Sequence, residues 1–160
     1  MARRFFISFC VLFFLAPWVA HGASDGAVYE KTFEAGFDTT YEKVHAALEG
    51  ARFWVVTETR ISDNLARFAE RWGEDYNRNG LDAIRGLVVC NPWYTNQIAN
   101  HDPKMLGLCP LGITIYTRAG TSHVLFARPT VLAGDSPARE VLQEVEETII
   151  EAIEGAFTTP

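Results

Sequence analysis

The amino-acid sequence predicts a small α+β domain. We expect a two-layer sandwich with a mixed or mainly antiparallel five-stranded sheet and helices on one face. Three observations predict this fold class. Apolar residues alternate along several short segments, as they do in strands, and recur every three or four positions in others, as in amphipathic helices. The last two predicted strands are joined by a short turn at residues 119–122, which is typical of an antiparallel hairpin.

The first half of the domain is predicted to fold in the order strand, helix, strand, helix. Thr39 and Glu42 form a capping box that is expected to begin the first helix, and Gly50 lies near its end. Ser62 is expected to cap the second helix. Five residues at helical spacing are predicted to share one face of it: Leu65, Phe68, Ala69, Trp72 and Tyr76. The five predicted strands of the domain are residues 28–34, 53–59, 84–90, 111–118 and 122–128.

The second half is predicted to read strand, short helix, strand, strand, long helix. Asn91 is expected to cap the short helix, with Pro92 at its first position, where proline is favoured. Pro103 is expected to close that segment. The long helix is predicted after Ser136-Pro137, with an apolar stripe against the sheet and its glutamates facing water.

The N-terminal residues predict export. Arg3 and Arg4 precede an apolar run of about 16 residues, and small residues follow at 20–22, which is the order found in a secretory signal peptide. The run is short for a membrane-spanning helix, which needs about 20 residues. We therefore expect a cleaved signal peptide at 1–22, a flexible tether at 23–27 and one domain at 28–157. The compartment would be the periplasm or the medium.

The charge balance disfavours two classes of partner. The chain has 14 Lys and Arg against 20 Asp and Glu, a net charge of −6. Cleavage after residue 22 removes two arginines and no acid, which leaves 12 basic residues against 20 acidic ones and a charge of −8. An acidic domain repels nucleic-acid phosphates and anionic lipid. We expect no nucleic-acid partner, and membrane contact only through the signal segment before cleavage.

Two neighbouring motifs carry a family resemblance. Residues 86–92 read Gly-Leu-Val-Val-Cys-Asn-Pro, an apolar strand followed by Asn-Pro, and residues 108–116 read Leu-Cys-Pro-Leu-Gly-Ile-Thr-Ile-Tyr. This order and spacing resembles the domain-of-unknown-function 302 family, over about residues 33–132. The resemblance implies a small α+β sandwich that often pairs into homodimers. It implies no common reaction and no catalytic residue.

The chain departs from that family pattern at three places. Cys90 stands where glycine is frequent, and Cys109 replaces an apolar residue before the second proline. Arg128 precedes Pro129 where the pattern leads us to expect an acid.

Cys90 and Cys109 are the first candidate functional pair. They lie at the end of one predicted strand and just before the next, so antiparallel pairing would bring their Cα atoms within the roughly 7 Å that a disulfide requires. The bridge would close a loop of about 20 residues and add about 3 kcal/mol of stability. A redox-active thiol pair is the alternative. It is less favoured, because there is no C-x-x-C and no cationic neighbour in the sequence.

A metal or haem site is a further alternative. Cys90, His101, Met105 and Cys109 together offer the soft ligands that Cu(I) or haem iron favours. Their spacing matches no metal motif, and there is no C-x-x-C-H for covalent haem attachment. The sequence therefore leaves the cofactor unknown.

The segment from Cys90 to Pro110 is the predicted ligand loop, with the candidate residues Asn91, Pro92, Trp93, Tyr94 and Pro110. Exposed aromatic side chains there would line a ligand pocket or a dimer seam. Trp54 and Trp72 are instead expected in the core because of their periodicity. The sequence contains no catalytic motif, and we predict no catalytic residue. The favoured hypothesis is an exported domain that binds a small ligand or a periplasmic protein. The alternative is a thiol-redox or metal- or haem-handling protein.

Overall fold

The computed structural model describes residues 26–158. Its strands are β1 (Val28–Phe33), β2 (Trp54–Arg60), β3 (Ala83–Cys90), β4 (Leu111–Arg118) and β5 (Thr121–Ala127). Its helices are α1 (Phe37–Gly50), α2 (Ile61–Ala66), α3 (Ala69–Trp72), α4 (Pro92–His101), α5 (Pro129–Ala133) and α6 (Arg139–Gly155). Short 3-10 turns cover Gly73–Asp75 and Pro103–Leu108. The predicted signal peptide and residues 23–25 of the predicted tether lie outside the described residues.

The strands form one sheet in the order β1-β5-β4-β3-β2, and every neighbouring pair is antiparallel. The predicted hairpin joins β4 to β5. Its turn residues Ala119 and Gly120 have φ angles of 50° and 82°, the positive values that a tight hairpin turn of this kind needs. The α+β sandwich is therefore confirmed. Its sheet, predicted as mixed or mainly antiparallel, is antiparallel throughout.

One face of the sheet packs against α1 and α6. Strand side chains alternate between the two faces, so Ile113 and Ile115 of β4 both point into this layer, where they are fully buried. Val44 of α1 and Ile149 of α6 meet them in the same cluster. Burial of each such aliphatic side chain contributes about 1.5–3 kcal/mol. This layer is the main core, and it holds α6 in place beside the ends of β3 and β4. Within residues 26–158, no helix is both long and apolar enough to cross a membrane.

The start of α1 differs from the prediction. The helix begins at Phe37, with Gly36 in extended backbone at the N-cap and without a side-chain cap. The Thr39 and Glu42 capping box is therefore wrong, because Thr39 already lies within the helix. The prediction that the helix stops near Gly50 is confirmed.

The predicted second helix is broken into the short helices α2 and α3. Gly73 has a φ of 53°, a left-handed conformation that ends α3 directly after Trp72. Ser62 does not cap α2 but lies inside it, and its hydroxyl accepts a hydrogen bond from the backbone N–H of Ile84 at 3.3 Å. This bond ties α2 to β3.

Trp54 and Trp72 are not in the core, so that expectation was wrong. Trp54 is 50% exposed, because β2 is an edge strand and its neighbour Val55 is the residue that packs on the core. Trp72 is 41% exposed and stacks on Phe68 at 5.1 Å between ring centroids. The break between α2 and α3 leaves these two rings to cover each other at the surface.

Candidate functional site

The junction of β3 and α4 is built as the sequence predicts. The side-chain oxygen of Asn91 accepts hydrogen bonds from the backbone N–H groups of Trp93 at 3.0 Å and Tyr94 at 3.2 Å. Pro92 occupies the first turn of α4, where its missing N–H would have had no helical partner. This cap fixes the direction in which α4 leaves the sheet, and α4 in turn positions Thr95 beside the end of β3.

Cys90 and Cys109 both lie beside Thr95. The Cys90 sulfur is 3.6 Å from the Thr95 hydroxyl oxygen, and that hydroxyl also donates to the Asn91 carbonyl at 3.0 Å. Cys109 also forms a hydrogen bond with the Thr95 side chain. Both thiols are half-buried and not bonded to each other. β3, which ends at Cys90, pairs antiparallel with β4, which begins two residues after Cys109, as the disulfide hypothesis requires. The disulfide itself stays a prediction.

The environment of Cys109 disfavours the thiolate. Burial raises the pKa of the Cys109 thiol, and the neighbouring Cys90 raises it further, while the hydrogen bond from Thr95 offsets only part of the rise. A nucleophilic or redox-active cysteine normally has a lowered pKa, because the thiolate is the reactive form. Cys109 therefore has the character of a structural thiol rather than of a nucleophile.

A small apolar cavity, the thiol pocket, lies between the end of β3, α4 and α6. Its volume of about 10 Å³ is roughly that of a single water molecule or ion. Leu142 and Val145 of α6 form part of its wall. The remaining lining residues come from the segment that the sequence singled out and from the strand next to it: Val89, Cys90, Asn91, Tyr94, Thr95, Ile98, Cys109, Pro110 and Leu111.

The predicted ligand-loop aromatics take two different positions. Tyr94 is half-buried and stacks on Phe53, with ring centroids 5.8 Å apart and planes 10° apart. Trp93 is 65% exposed. Trp54 is the strand partner of Cys90 across β2 and β3, and Trp93 follows Cys90 by three residues, so the backbone positions of two exposed indoles lie near this end of the sheet. Pro110 is exposed and follows a cis peptide bond.

His101 and Met105, the other two predicted metal ligands, do not line the thiol pocket. His101 is exposed at the end of α4, where its Nδ1 lies 2.7 Å from the Gln97 carbonyl oxygen. Met105 packs with Cys109 on a small second core cluster around Ile98. Among residues 26–158, no group of three or more His, Cys, Asp or Glu side chains is placed to hold a metal ion. The structure thus brings the two thiols together without His101.

A buried carboxylate on α6 was missed by the sequence reasoning. The glutamates of this helix were expected to face water, but Glu146 is only 3% exposed, and for this residue the expectation was wrong. Its carboxylate accepts hydrogen bonds from Arg128 Nε at 2.7 Å, from the Thr130 N–H at 3.0 Å and from the Thr130 hydroxyl. The short helix α5, which was not predicted, brings these donors against α6. The sequence held two signals: Arg128 stands where an acid was expected, and Glu146 lies four residues after Leu142 and so on the apolar stripe of α6.

The partners of Glu146 decide its charge. Burial by itself would raise the pKa of this carboxyl group, but the hydrogen bonds from Thr130 and Arg128 outweigh that effect and hold the pKa below its usual value. Glu146 is therefore ionised at neutral pH, and it forms a buried ion pair with Arg128.

Comparison with known proteins identifies a family and a fold. Residues 29–156 match the family described as domain of unknown function DUF302. The crystal structure of an uncharacterized conserved DUF302 protein from Bacillus stearothermophilus is similar, with a TM-score of 0.69 and 21% sequence identity. The alignment covers 80% of this chain and 96% of that one, and at this identity it shows the fold alone. No curated protein matches the sequence.

Proposed function

This chain belongs to the DUF302 family of domains of unknown function, and from its site we propose that it is an exported module that binds a small, largely apolar ligand. The single observation that carries the proposal is that two indoles close to Cys90 along the backbone are exposed: Trp54, its strand partner, and Trp93, three residues after it. Exposed aromatic side chains that lie near one another are typical of contact surfaces.

The dimensions of the pocket limit how a ligand would bind. With about 10 Å³ inside, only a water molecule or a single ion fits within the walls. An organic ligand would therefore lie outside the pocket, against the two exposed indoles, with polar groups available from the pocket residues Asn91, Thr95, Cys90 and Cys109. The domain charge of −8 after cleavage, from 12 basic and 20 acidic residues, favours a neutral or cationic ligand over an anionic one.

The test uses a neutral apolar dye, N-phenyl-1-naphthylamine, titrated into the purified exported protein. Dye fluorescence reports binding. We expect Trp54→Ser and Trp93→Ser each to weaken binding at least about tenfold, as loss of a central aromatic contact does. Trp72→Ser is the matched control, since Trp72 is a comparably exposed indole on α3, away from Cys90. Equal losses in all three variants, or no loss at Trp54 and Trp93, would reject the proposed site.

Export is tested by the intact mass of the protein from the exported fraction, prepared without reductant. We expect the mass of the chain from residue 23 onwards, because the apolar run is followed by a cleavable small-residue site. A chain that keeps residues 1–22 would contradict the proposal. The same spectrum reports the thiols, since a mass lower by two hydrogens means that Cys90 and Cys109 are bridged.

A second candidate function is the binding of one soft cation such as Cu(I) between the two thiols. The observation that favours it is the single-ion volume of a cavity that both Cys90 and Cys109 line. Thiolate sulfur is the ligand type that selects Cu(I). Anaerobic titration of the reduced protein with Cu(I) should show one equivalent bound, and Cys90→Ser or Cys109→Ser should abolish that binding. Unchanged binding in both variants, or a bridged pair in the exported protein, would remove this candidate.

A further inference from the structure

A second and larger cavity, the polar cleft, runs along α6 beside α5. Its volume of about 440 Å³ lies in the range of small-molecule sites, roughly 300–1,000 Å³. No sequence motif indicated it. Charged residues of both signs and one apolar side chain line the cleft: Arg128, Thr130, Arg139, Gln143, Glu146, Glu147, Ile150 and Glu151.

Arg139 supplies a fixed positive charge at one end of the polar cleft. Its Nη1 donates to the carbonyl oxygens of Thr130 at 2.8 Å and Gly134 at 2.9 Å. These two bonds hold the guanidinium in place without neutralising it. In the part of the chain that the structure describes, no carboxylate forms an ion pair with Arg139. A held and uncompensated guanidinium is suited to a carboxylate or another planar anion.

Glu147 and Glu151 supply negative charge at the other end. They are four residues apart on α6, so they lie on the same side of the helix and repel each other. Glu147 accepts a hydrogen bond from the neutral amide of Gln143 at 2.8 Å. No ion pair involves either glutamate within residues 26–158. An ammonium group placed between them would relieve their repulsion.

One pair of charges in the polar cleft is already neutralised. Arg128 and Glu146 pair with each other, and Glu146 lies about 10 Å along the helix from Arg139, next to Glu147. Ile150 offers an apolar wall between the turns that carry Glu147 and Glu151. At a rise of about 1.5 Å per residue, the Cα of Arg139 is about 12 Å along the helix from that of Glu147 and about 18 Å from that of Glu151. An extended peptide covers about 3.3–3.6 Å per residue, so three to five residues span this separation.

We propose that the polar cleft binds a short peptide, three to five residues long, by its two free termini. The C-terminal carboxylate lies on Arg139, and the N-terminal ammonium lies at Glu147 and Glu151. The direction agrees with the α6 dipole, whose positive end is at Arg139 and favours an anion there. A side chain near the N-terminus of the peptide contacts Ile150. This site is separate from the indole and thiol site proposed above.

The experiment measures binding of tetraalanine to the purified exported protein by isothermal titration calorimetry. Three further peptides are compared: N-acetylated, C-amidated, and blocked at both ends. We expect each block to weaken binding about tenfold. Tetraalanine that binds no better than the doubly blocked peptide, or that does not bind at millimolar concentration, would overturn the proposal.

Variants of the protein test which residues bind each terminus of the peptide. Arg139→Gln should weaken the free-carboxylate peptide about tenfold and leave the C-amidated peptide unchanged, whereas a merely structural role would weaken both equally. Arg139→Lys, which keeps the charge, should retain most of the binding and guards against misfolding of the Gln variant. The double variant Glu147→Gln/Glu151→Gln should act only on peptides with a free amine. Arg118→Gln and Glu144→Gln, exposed residues outside the cleft, are the matched controls and should change nothing.

Discussion

The polar cleft and the thiol pocket lie on two sides of α6, and each withdraws one acidic group from water. Burial opposes ionisation in both places, yet the pKa of Glu146 is lowered while the pKa of Cys109 is raised. The difference comes from the partners. Glu146 accepts hydrogen bonds from Arg128 and Thr130, one of them a cation, whereas Cys109 has one hydroxyl partner and a second thiol nearby. Donors of hydrogen bonds, rather than burial itself, decide which group is charged.

The two cavities are lined by different sides of α6. Val145 and Glu146 are consecutive in sequence, but Val145 lines the thiol pocket and Glu146 lines the polar cleft. The apolar side packs on the core and closes a space of about 10 Å³, while the charged side borders an open cleft of about 440 Å³. One helix thus separates a small apolar pocket from a larger cleft with charged walls.

The largest expected effect is on the charged side. Glu146→Ala removes the buried carboxylate that accepts hydrogen bonds from Arg128 and Thr130, and it leaves the Thr130 donors unsatisfied. We expect a loss of about 3 kcal/mol in the free energy of unfolding, as for other broken buried pairs. Urea denaturation measures it. Glu144→Ala, an exposed glutamate on the same helix, is the control and should change stability by less than about 0.5 kcal/mol. Equal losses of unfolding free energy in Glu146→Ala and Glu144→Ala would mean that the hydrogen bonds of Glu146 add no stability.

The stability that Glu146 contributes through Arg128 and Thr130 should depend on pH. Because the folded-state pKa of Glu146 is lowered, its contribution is complete above the unfolded value of about 4.3 and is lost as the pH falls through the folded value. Glu146→Gln keeps the shape of the side chain but does not titrate. The stability difference between wild type and Glu146→Gln should therefore narrow as the pH drops below about 4.3. A difference that stays constant from pH 7 to pH 3 would contradict the assigned direction.

A smaller effect is expected where the thiol pocket begins. Asn91→Ala removes the side-chain acceptor for the N–H groups of Trp93 and Tyr94, and we expect a loss of about 1 kcal/mol. Asn96→Ala, at an exposed position within α4, removes no cap and should be neutral or slightly stabilising because alanine favours helix. Thermal unfolding of both variants decides the matter. If both lose the same stability, Asn91 is not acting as a cap.

The comparison also separates what the sequence could predict from what it could not. The β3–α4 junction depends on neighbours in the chain, so Asn91 and Pro92 were sufficient to predict its cap and its first turn. The β4–β5 hairpin depends on a short turn, and it too was predicted from the sequence. The pairing of β3 with β4 was only a condition of the disulfide hypothesis, and the structure supplies it. The features that the sequence predicted are thus the local ones.

The polar cleft could not be predicted in this way. Glu146 lies on the apolar stripe of α6, four residues after Leu142, but the sequence gives no sign of the partners that let a carboxylate be buried there. Those partners, Arg128 and Thr130, are delivered by α5, which folds back against α6. The expectation that Trp54 and Trp72 are buried was wrong for the opposite reason. Their periodicity predicted burial, but an edge strand and a broken helix left their rings without a layer to pack against.

The smallest expected effect concerns the thiol itself. In a Cys90→Ser background, Cys109 should react with iodoacetamide at pH 8 more slowly than N-acetylcysteine does, because burial is the main cause of its raised pKa and remains when Cys90 is removed. Adding Thr95→Val should slow the reaction further, since the hydrogen bond that favours the thiolate is lost. Mass spectrometry of timed samples gives the rates. If Cys109 reacts as fast as N-acetylcysteine, its surroundings do not suppress the thiolate. The opposite pKa shifts of Cys109 and Glu146 would then not both hold, and only the lowered pKa of Glu146 would remain.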